Sequence, residues 1–153
     1  MTSKMPKVIA DTSCLIVLNR INLLHILRNL YGHVIVTDEV ASEYGNALPK
    51  WVRVEKLKDR NALKLINTFL DLGEASSCAL ALETDDSIVI IDDLKGRKIA
   101  GRLGLRITGT LGIVLRARER KLIDSLKNVI EQIRIEGFYI SEELENEMLK
   151  YDK

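Results

Sequence analysis

The sequence has few of the residues that build disulfide frameworks or soft-metal sites, with only two cysteines, two histidines and two prolines in 153 residues. Cys14 and Cys78 form neither a CxxC pair nor a Cys/His cluster, which argues against a disulfide framework and against a zinc site. Both lie in apolar runs, so we expect two buried thiols.

Long apolar runs are also missing. No segment approaches the ~20 apolar residues of a membrane-spanning helix, and residues 1–7 contain no apolar stretch of signal-peptide length. We therefore expect a cytoplasmic protein that does not contact a membrane. The formal net charge is only +1, so any basic surface for nucleic acid must be local.

The length and the 46% hydrophobic content fit one globular domain, residues 1–153. Short apolar runs alternate with helical patterns, which predicts an α/β fold with a mainly parallel sheet. Strands are predicted at 7–10, 33–36, 51–57, 87–91 and 105–107. Helices are predicted at 14–30 with a break near 19–22, from 37 to 45, at 59–70, 74–83, 94–103, 112–120 and 123–133, and from 141.

Acidic residues follow two of the predicted strands. Asp11 comes just after the first strand, and Asp92 and Asp93 come just after the most apolar one. Because the carboxyl ends of parallel strands line one edge of a sheet, where ligands bind, these acids should share that edge. Glu74 can join them if its helix begins over the same edge.

Converging carboxylates repel one another unless a counter-charge is present. Oxygen ligands without histidine or cysteine suit Mg²⁺ or Mn²⁺. Such an ion can clamp a phosphate and activate a water molecule for in-line attack. The acids therefore predict a metal-dependent site for phosphate chemistry.

Each acid also has an ordinary structural interpretation, because an aspartate after a strand often caps the next helix and Glu74 would favour a helix N-terminus. Capping alone does not readily explain why two adjacent acids, Asp92 and Asp93, follow the most apolar of the predicted strands. The hydroxyls of Thr12 and Ser13 could orient Asp11 or a metal-bound water, or could cap a helix. Glu43 could face the acidic edge or solvent.

The pair Asp92 and Asp93 needs separate treatment, because adjacent side chains in a strand point to opposite faces. Asp92 continues the apolar strand and should project towards Asp11, so we favour it as the direct metal ligand. Asp93 begins the turn into the next helix, where it could cap that helix or bind the metal through water.

A basic stretch follows these acids and contains one acid and nine basic residues: Lys95, Arg97, Lys98, Arg102, Arg106, Arg116, Arg118, Arg120 and Lys121. Positive charge beside an acidic pocket suits phosphodiester cleavage, because it can hold backbone phosphates. The candidates for that role are Lys95, Arg97, Lys98 and Arg102. The alternative is that these basic residues only form the solvated faces of helices. The stretch contains no aromatic residue, so we expect poor sequence discrimination.

Several short motifs, taken in order, resemble the PIN domain family, especially an uncharacterised prokaryotic branch. The first four are Ile9-Ala10-Asp11-Thr12-Ser13, Thr37-Asp38-Glu39-Val40-Ala41-Ser42-Glu43, Leu72-Gly73-Glu74-Ala75 and Ile90-Ile91-Asp92-Asp93. The later ones are Gly96-Arg97, Leu103-Gly104-Leu105, Gly109-Thr110-Leu111-Gly112 and Gly137-Phe138-Tyr139-Ile140-Ser141. The resemblance covers nearly the whole chain.

This resemblance implies a three-layer α/β/α sandwich and Mg²⁺- or Mn²⁺-dependent cleavage of single-stranded RNA. Many relatives are toxins of toxin–antitoxin pairs, so it also implies an antitoxin protein as a candidate partner. Glu43 matches a less constant acid and Ser13 a polar residue beside the first acid. The matched metal-binding acids are Asp11, Glu74 and one of Asp92 or Asp93.

The sequence departs from many PIN domains at the third acidic position. They have Thr or Ser, one further residue and then Asp, whereas this chain has Ile91-Asp92-Asp93. This leaves open which aspartate is the ligand.

Two other phosphate-handling classes fit less well than the PIN domain. A receiver-like phosphoacceptor would have adjacent acids after its first strand. A haloacid-dehalogenase-type phosphatase would have Asp-x-Asp there, and Asp11-Thr12-Ser13 lacks the second Asp. The remaining alternative is a PIN-like nucleic-acid-binding or assembly module with little catalysis.

The helices after about residue 122 are expected to be appended to the core. Their apolar residues should partly cover the core and partly form a two-fold homodimer, as in relatives. These residues are Leu126, Val129, Ile130, Ile133, Leu144 and Met148.

Overall fold

The computed structural model describes residues 5–152, which form five strands and nine helices. The strands are β1 (Lys7–Ile9), β2 (His33–Thr37), β3 (Val52–Glu55), β4 (Ser87–Ile90) and β5 (Ile107–Thr108). The helices are α1 (Thr12–Arg20), α2 (His25–Leu30), α3 (Asp38–Tyr44), α4 (Arg60–Asn67), α5 (Leu72–Leu82), α6 (Leu94–Arg102), α7 (Thr110–Glu119), α8 (Leu126–Ile135) and α9 (Glu142–Leu149).

The strands pair in parallel in the order β3-β2-β1-β4-β5. From β1 the chain moves outward on one side to β2 and β3, and it then returns to build β4 and β5 on the other side. The strand order thus reverses between β1 and β4, and ligands bind beyond the carboxyl ends of such a pair. Asp11 follows β1 and Asp92 follows β4, so the topology brings both acids to this crevice.

Two apolar clusters cover the two faces of the sheet, because successive side chains of each strand point to opposite faces. One cluster joins the sheet to α1, α2, α3, α7, α8 and α9, and its strand residues include Val8, Val34 and Ile90. The other joins the sheet to α4, α5 and α6, and its strand residues include Ile9, Ile35 and Val89. The predicted three-layer α/β/α sandwich is confirmed.

Some elements begin or end where the sequence did not place them. The break predicted near 19–22 separates α1 from α2, and Asn22 there has a φ of 61°. α5 begins at Leu72 rather than at residue 74, because Asp71 caps it by accepting a hydrogen bond from the Glu74 N–H. β5 begins at Ile107, later than predicted, because the Leu105 N–H donates to the carbonyl of Ala100 in α6 and so does not pair in the sheet.

The helices after residue 122 contribute to the same apolar cluster as α7. Of the six apolar residues expected to be shared between the core and a dimer surface, five are buried within the chain: Leu126, Val129, Ile130, Ile133 and Met148. Leu144, with 44% of its surface exposed, is the remaining one. These six residues therefore leave little apolar surface for a second copy.

Both cysteines are free and buried, as the sequence predicts. Within residues 5–152, none of the helices combines the length and the apolar character needed to cross a bilayer.

Candidate active site

Asp11 lies directly beyond β1 and caps α1. Strand hydrogen bonding continues one residue beyond β1, because the Ala10 N–H donates to the Ile35 carbonyl on β2. Asp11 Oδ1 accepts a hydrogen bond from the Cys14 N–H at 3.1 Å, and Oδ2 accepts one from the Ser13 hydroxyl at 3.1 Å. Asp11 thus serves as a helix cap, and the Ser13 hydroxyl holds its second oxygen.

The environment of Asp11 opposes its negative charge. Only 4% of the residue surface is exposed. Loss of hydration is the main reason why the pKa of Asp11 is raised from 3.8 to about 7, and the charges of Asp92 and Glu74 raise it further. The hydrogen bonds from Cys14 and Ser13 act in the opposite direction. Near neutral pH, Asp11 is therefore a partly protonated carboxyl group, and a nearby positive charge would favour its ionised form.

Asp92 is half-buried beyond β4 and is held by Thr110. Its Oδ1 accepts a hydrogen bond from the Thr110 N–H and its Oδ2 accepts one from the Thr110 hydroxyl, both at 2.7 Å. Gly109, the N-cap of α7, has no side chain to cap that helix. A Cβ on Gly109 would lie 3.0 Å from Asp92 Oδ1 and from Arg97 Nη1, so a larger residue there would displace one of these groups.

Asp93 is exposed and is the N-cap of α6, where its Oδ2 accepts a hydrogen bond from the Gly96 N–H at 3.0 Å. The two neighbouring aspartates therefore have different surroundings. The charge of Asp92 acts on Asp11, whereas the charge of Asp93 acts on Glu74. The expected capping role of Asp93 is thus present, and its role towards a metal stays a prediction.

Glu74 lies in the first turn of α5 and is half-buried. Its pKa is raised from 4.5 to about 7, first by loss of hydration and then by the nearby Asp71, Asp93 and Glu43. Glu74 reaches the start of α6 because residue 96 is glycine, whose missing Cβ would lie 3.2 Å from Glu74 Oε2. Glu74 therefore lies near Asp93, which precedes α6, and also near Asp71 and Glu43 around the start of α5.

A small pocket of about 90 Å³ opens at this edge, lined by Asp11, Thr12, Ser13, Glu43, Asp71, Gly73 and Glu74. Glu43 thus reaches the acidic edge, one of the two orientations that the sequence allowed. The hydroxyl of Thr12 is buried and has no hydrogen-bond partner within residues 5–152. Asp92 and Asp93 do not line the pocket, but the charge of Asp92 acts on Asp11 and the charge of Asp93 acts on Glu74, both of which do.

Two residues of this region were not identified as site residues from the sequence. Asp71 was missed because α5 was expected to begin after it. Thr110 was noted only as part of Gly109-Thr110-Leu111-Gly112, and its contact with Asp92 joins positions 18 residues apart. A Gly-Thr pair immediately before a helix is the one local signal that could have indicated it.

The chemistry of the site fits a hard divalent cation. Its donors are carboxylate and hydroxyl oxygens, and the raised pKa values show carboxyl groups that lack a counter-charge. Among residues 5–152, however, no three Asp, Glu, His or Cys side chains converge into a ready-made metal site. Metal binding would therefore require some of these side chains to rotate.

The basic stretch is divided by the fold. Lys95 and Lys98 are exposed on α6, which begins at the acidic edge. Arg97 is half-buried and donates a hydrogen bond from Nη1 to the Ile91 carbonyl at 3.0 Å. Arg102 ends α6, about 12 Å along the helix axis from its start, and lines an apolar groove between α4 and α6.

The later basic residues lie elsewhere. Arg106 pairs with Asp86, which precedes β4 at the amino edge of the sheet. α7 begins at the acidic edge and runs away from it, so Arg116 and Arg118 lie towards its far end, where Arg118 pairs with Asp152 at 3.0 Å. The nine basic residues therefore do not form one surface beside the pocket.

The raised pKa values predict how stability changes with pH in metal-free protein. For Asp11 and Glu74 the folded state binds more protons than the unfolded state between about pH 4 and 7. The free energy of unfolding should therefore fall as pH rises through this window, by up to a few kcal/mol. Urea titrations at several pH values measure this slope. Asp11→Asn should flatten it relative to the exposed control Asp124→Asn, and an equal slope in both variants would contradict the environment described for Asp11.

Comparison with known families agrees with this architecture. A family model described as PIN domain matches residues 7–153, and no curated protein matches the chain. PIN domains are generally nucleases, commonly bind nucleic acid and typically use divalent metal ions. The parallel sheet and the acids beyond β1 and β4 lie within the matched residues. The chain therefore belongs to the PIN domain family.

Proposed function

We propose that this protein is an endoribonuclease that cleaves single-stranded RNA with Mg²⁺ or Mn²⁺. The observation that carries the proposal is the pair Asp11 and Glu74, two carboxyl groups with pKa values of about 7 in one pocket at the carboxyl edge of a PIN domain sheet. Such groups give up their protons readily at neutral pH when a cation offsets the resulting charge.

Each acid has a specific role in this proposal. Asp11, Glu74 and Asp92 hold the ion directly, with Asp93 acting through water and Glu43 as a further acid at the pocket. The Ser13 hydroxyl keeps Asp11 Oδ2 oriented. When bound, the ion supplies positive charge for the phosphate and an activated water molecule.

The RNA backbone would lie beside α6. Lys95 and Lys98 are exposed near the acidic edge, so their charges can contact phosphates that flank the pocket. Arg97 holds the end of β4 through Ile91 and faces the same loop as Asp92. Arg102 lies farther along α6 and would contact only more distant nucleotides.

Two protein partners are also part of the proposal, by analogy with other members of the PIN family. One is an antitoxin protein, with this chain as the toxin of the pair. The other is a second copy of the chain in a two-fold dimer. The exposed side chains of Ile135 and Tyr139, at 83% and 88%, offer apolar surface for such contacts.

A second candidate function is that of a nucleic-acid-binding or assembly module with little catalysis. It is favoured by the absence of a ready-made cluster of three metal-ligating side chains within residues 5–152. Turnover separates the two functions: an enzyme produces many cleaved molecules per chain with Mn²⁺, whereas a binding module retains the RNA without cleaving it.

Substitution of the acids tests the catalytic proposal. Asp11→Asn and Asp92→Asn should each abolish Mn²⁺-dependent cleavage of single-stranded RNA, because each removes a proposed ligand charge. Asp93→Asn should retain a measurable fraction, since asparagine still caps α6. Initial rates on a labelled RNA, with Asp124→Asn as the exposed control, provide the comparison. Greater damage from Asp93→Asn than from Asp92→Asn would reverse the assignment, and full activity in all the variants would refute the proposal.

The dependence of RNA affinity on salt tests the proposed role of Lys95 and Lys98. Replacing both with glutamine should reduce the slope of log affinity against log salt by about 0.7 for each phosphate that the variant no longer binds. Replacing Arg120 and Lys121, at the far end of α7, should leave the slope unchanged. Fluorescence anisotropy with catalytically inactive Asp11→Asn protein measures binding without cleavage. Equal slopes for both double variants would exclude Lys95 and Lys98 from the interface.

A further inference from the structure

We infer that Thr110 is a positioning residue, which fixes the carboxylate of Asp92 for a bound divalent ion, while the other acids of the site rotate towards the ion. The inference rests on the proposed function, because it concerns the same acids. It goes beyond that function in giving a defined role to a side chain that carries no charge and does not line the pocket.

The geometry of the contact restricts Asp92 in two ways. Thr110 is fully buried, and it donates its backbone N–H to one oxygen of Asp92 and its hydroxyl to the other, at 2.7 Å each. Rotation of the carboxylate would break both hydrogen bonds. Hydrogen bonds to an ionised carboxylate are also stronger than those between neutral groups. Asp92 is therefore held by two donors of a single residue.

Cys14 extends this arrangement to Asp11. Its backbone N–H donates to Asp11 Oδ1 at 3.1 Å, and its buried thiol interacts with the side chain of Thr110. A threonine hydroxyl has one proton to donate and two lone pairs that accept. That proton goes to Asp92 Oδ2, at 2.7 Å. Cys14 and Thr110 thus connect the first acid to the third through buried contacts.

A purely structural role makes a different prediction. Asp92 also serves as a cap for α7, whose own N-cap Gly109 has no capping side chain. If capping were the only role of the contact, loss of the Thr110 hydroxyl would lower stability and leave metal affinity unchanged. If the contact positions a ligand, removal of the hydroxyl weakens metal binding even where the protein stays folded.

Mn²⁺ binding in the absence of RNA separates these roles. Isothermal titration calorimetry would compare wild type with Thr110→Val, which keeps the shape but lacks the hydroxyl, and with Thr110→Ser, which keeps the hydroxyl. Outer contacts to metal ligands typically contribute about 10–100-fold in affinity. We expect a loss of that size in Thr110→Val and affinity close to wild type in Thr110→Ser.

A matched control is Thr84→Val, which removes a threonine hydroxyl bonded to the Leu80 carbonyl at the end of α5, away from the acids. Melting curves without metal would accompany each titration. Wild-type affinity in a folded Thr110→Val protein, or an equal loss in Thr84→Val, would overturn the inference while leaving the proposed function intact. Absence of Mn²⁺ binding in wild type would overturn both. If Thr110→Val does not fold, Thr110→Ala is judged by the same criteria.

A double-mutant cycle shows whether Thr110 acts through Asp92. In an Asp92→Asn background, Thr110→Val should cause no further loss of Mn²⁺ affinity, because the ligand that it positions is already gone. Equal losses from Thr110→Val in both backgrounds would show that it acts through another group and would contradict the inference.

Discussion

The chemistry of the site depends on the burial of a carboxyl group where the strand order of the sheet reverses. Asp11 lies between the ends of β1 and β4, almost without hydration, and the charge of Asp92 acts on it. A fold gains nothing in stability from carboxylates that repel each other in a desolvated crevice. The arrangement is therefore costly without a counter-charge, and a divalent cation is the partner that its oxygen donors suit.

Hydrogen bonds to the acids reduce the free-energy cost of bringing these carboxylates together, but they do not remove it. Asp11, Asp71 and Asp93 each cap a helix through a hydrogen bond from its backbone, so part of their charge faces the positive end of that helix. Asp92 is held in a similar way at the start of α7 by Thr110. The capping and metal-binding interpretations of these acids are therefore compatible, since a cap leaves lone pairs on the same oxygens for a ligand.

The sequence predicted the parts of the site that follow from strand topology. Asp11 and Asp92 could be placed together because each directly follows an apolar strand, and parallel strands end at one edge. The contact of Thr110 with Asp92 could not be predicted, because it depends on how the start of α7 approaches the end of β4. How much of the basic stretch lies near the acids could not be predicted from the sequence, because this depends on the directions in which α6 and α7 lead away from the edge at which they begin.

The apolar residues of α8 illustrate another limit of sequence reasoning. An amphipathic pattern shows that one face must be covered, but not whether the same chain or a second copy covers it. Ile130 and Ile133 proved to be buried within the chain. In contrast, the continuous apolar run of β4 indicated a sheet covered on both faces, because residues on both sides of the strand are apolar.

The central claim is that Asp11 and Glu74 hold protons which a bound cation displaces. Calorimetric titration of Mn²⁺ in buffers with different ionisation enthalpies measures the number of protons released on binding. We expect release of about one proton or more per ion at pH 6, falling towards none at pH 8.5, where both groups are already ionised. Binding without proton release at pH 6, or no binding at either pH, would contradict it.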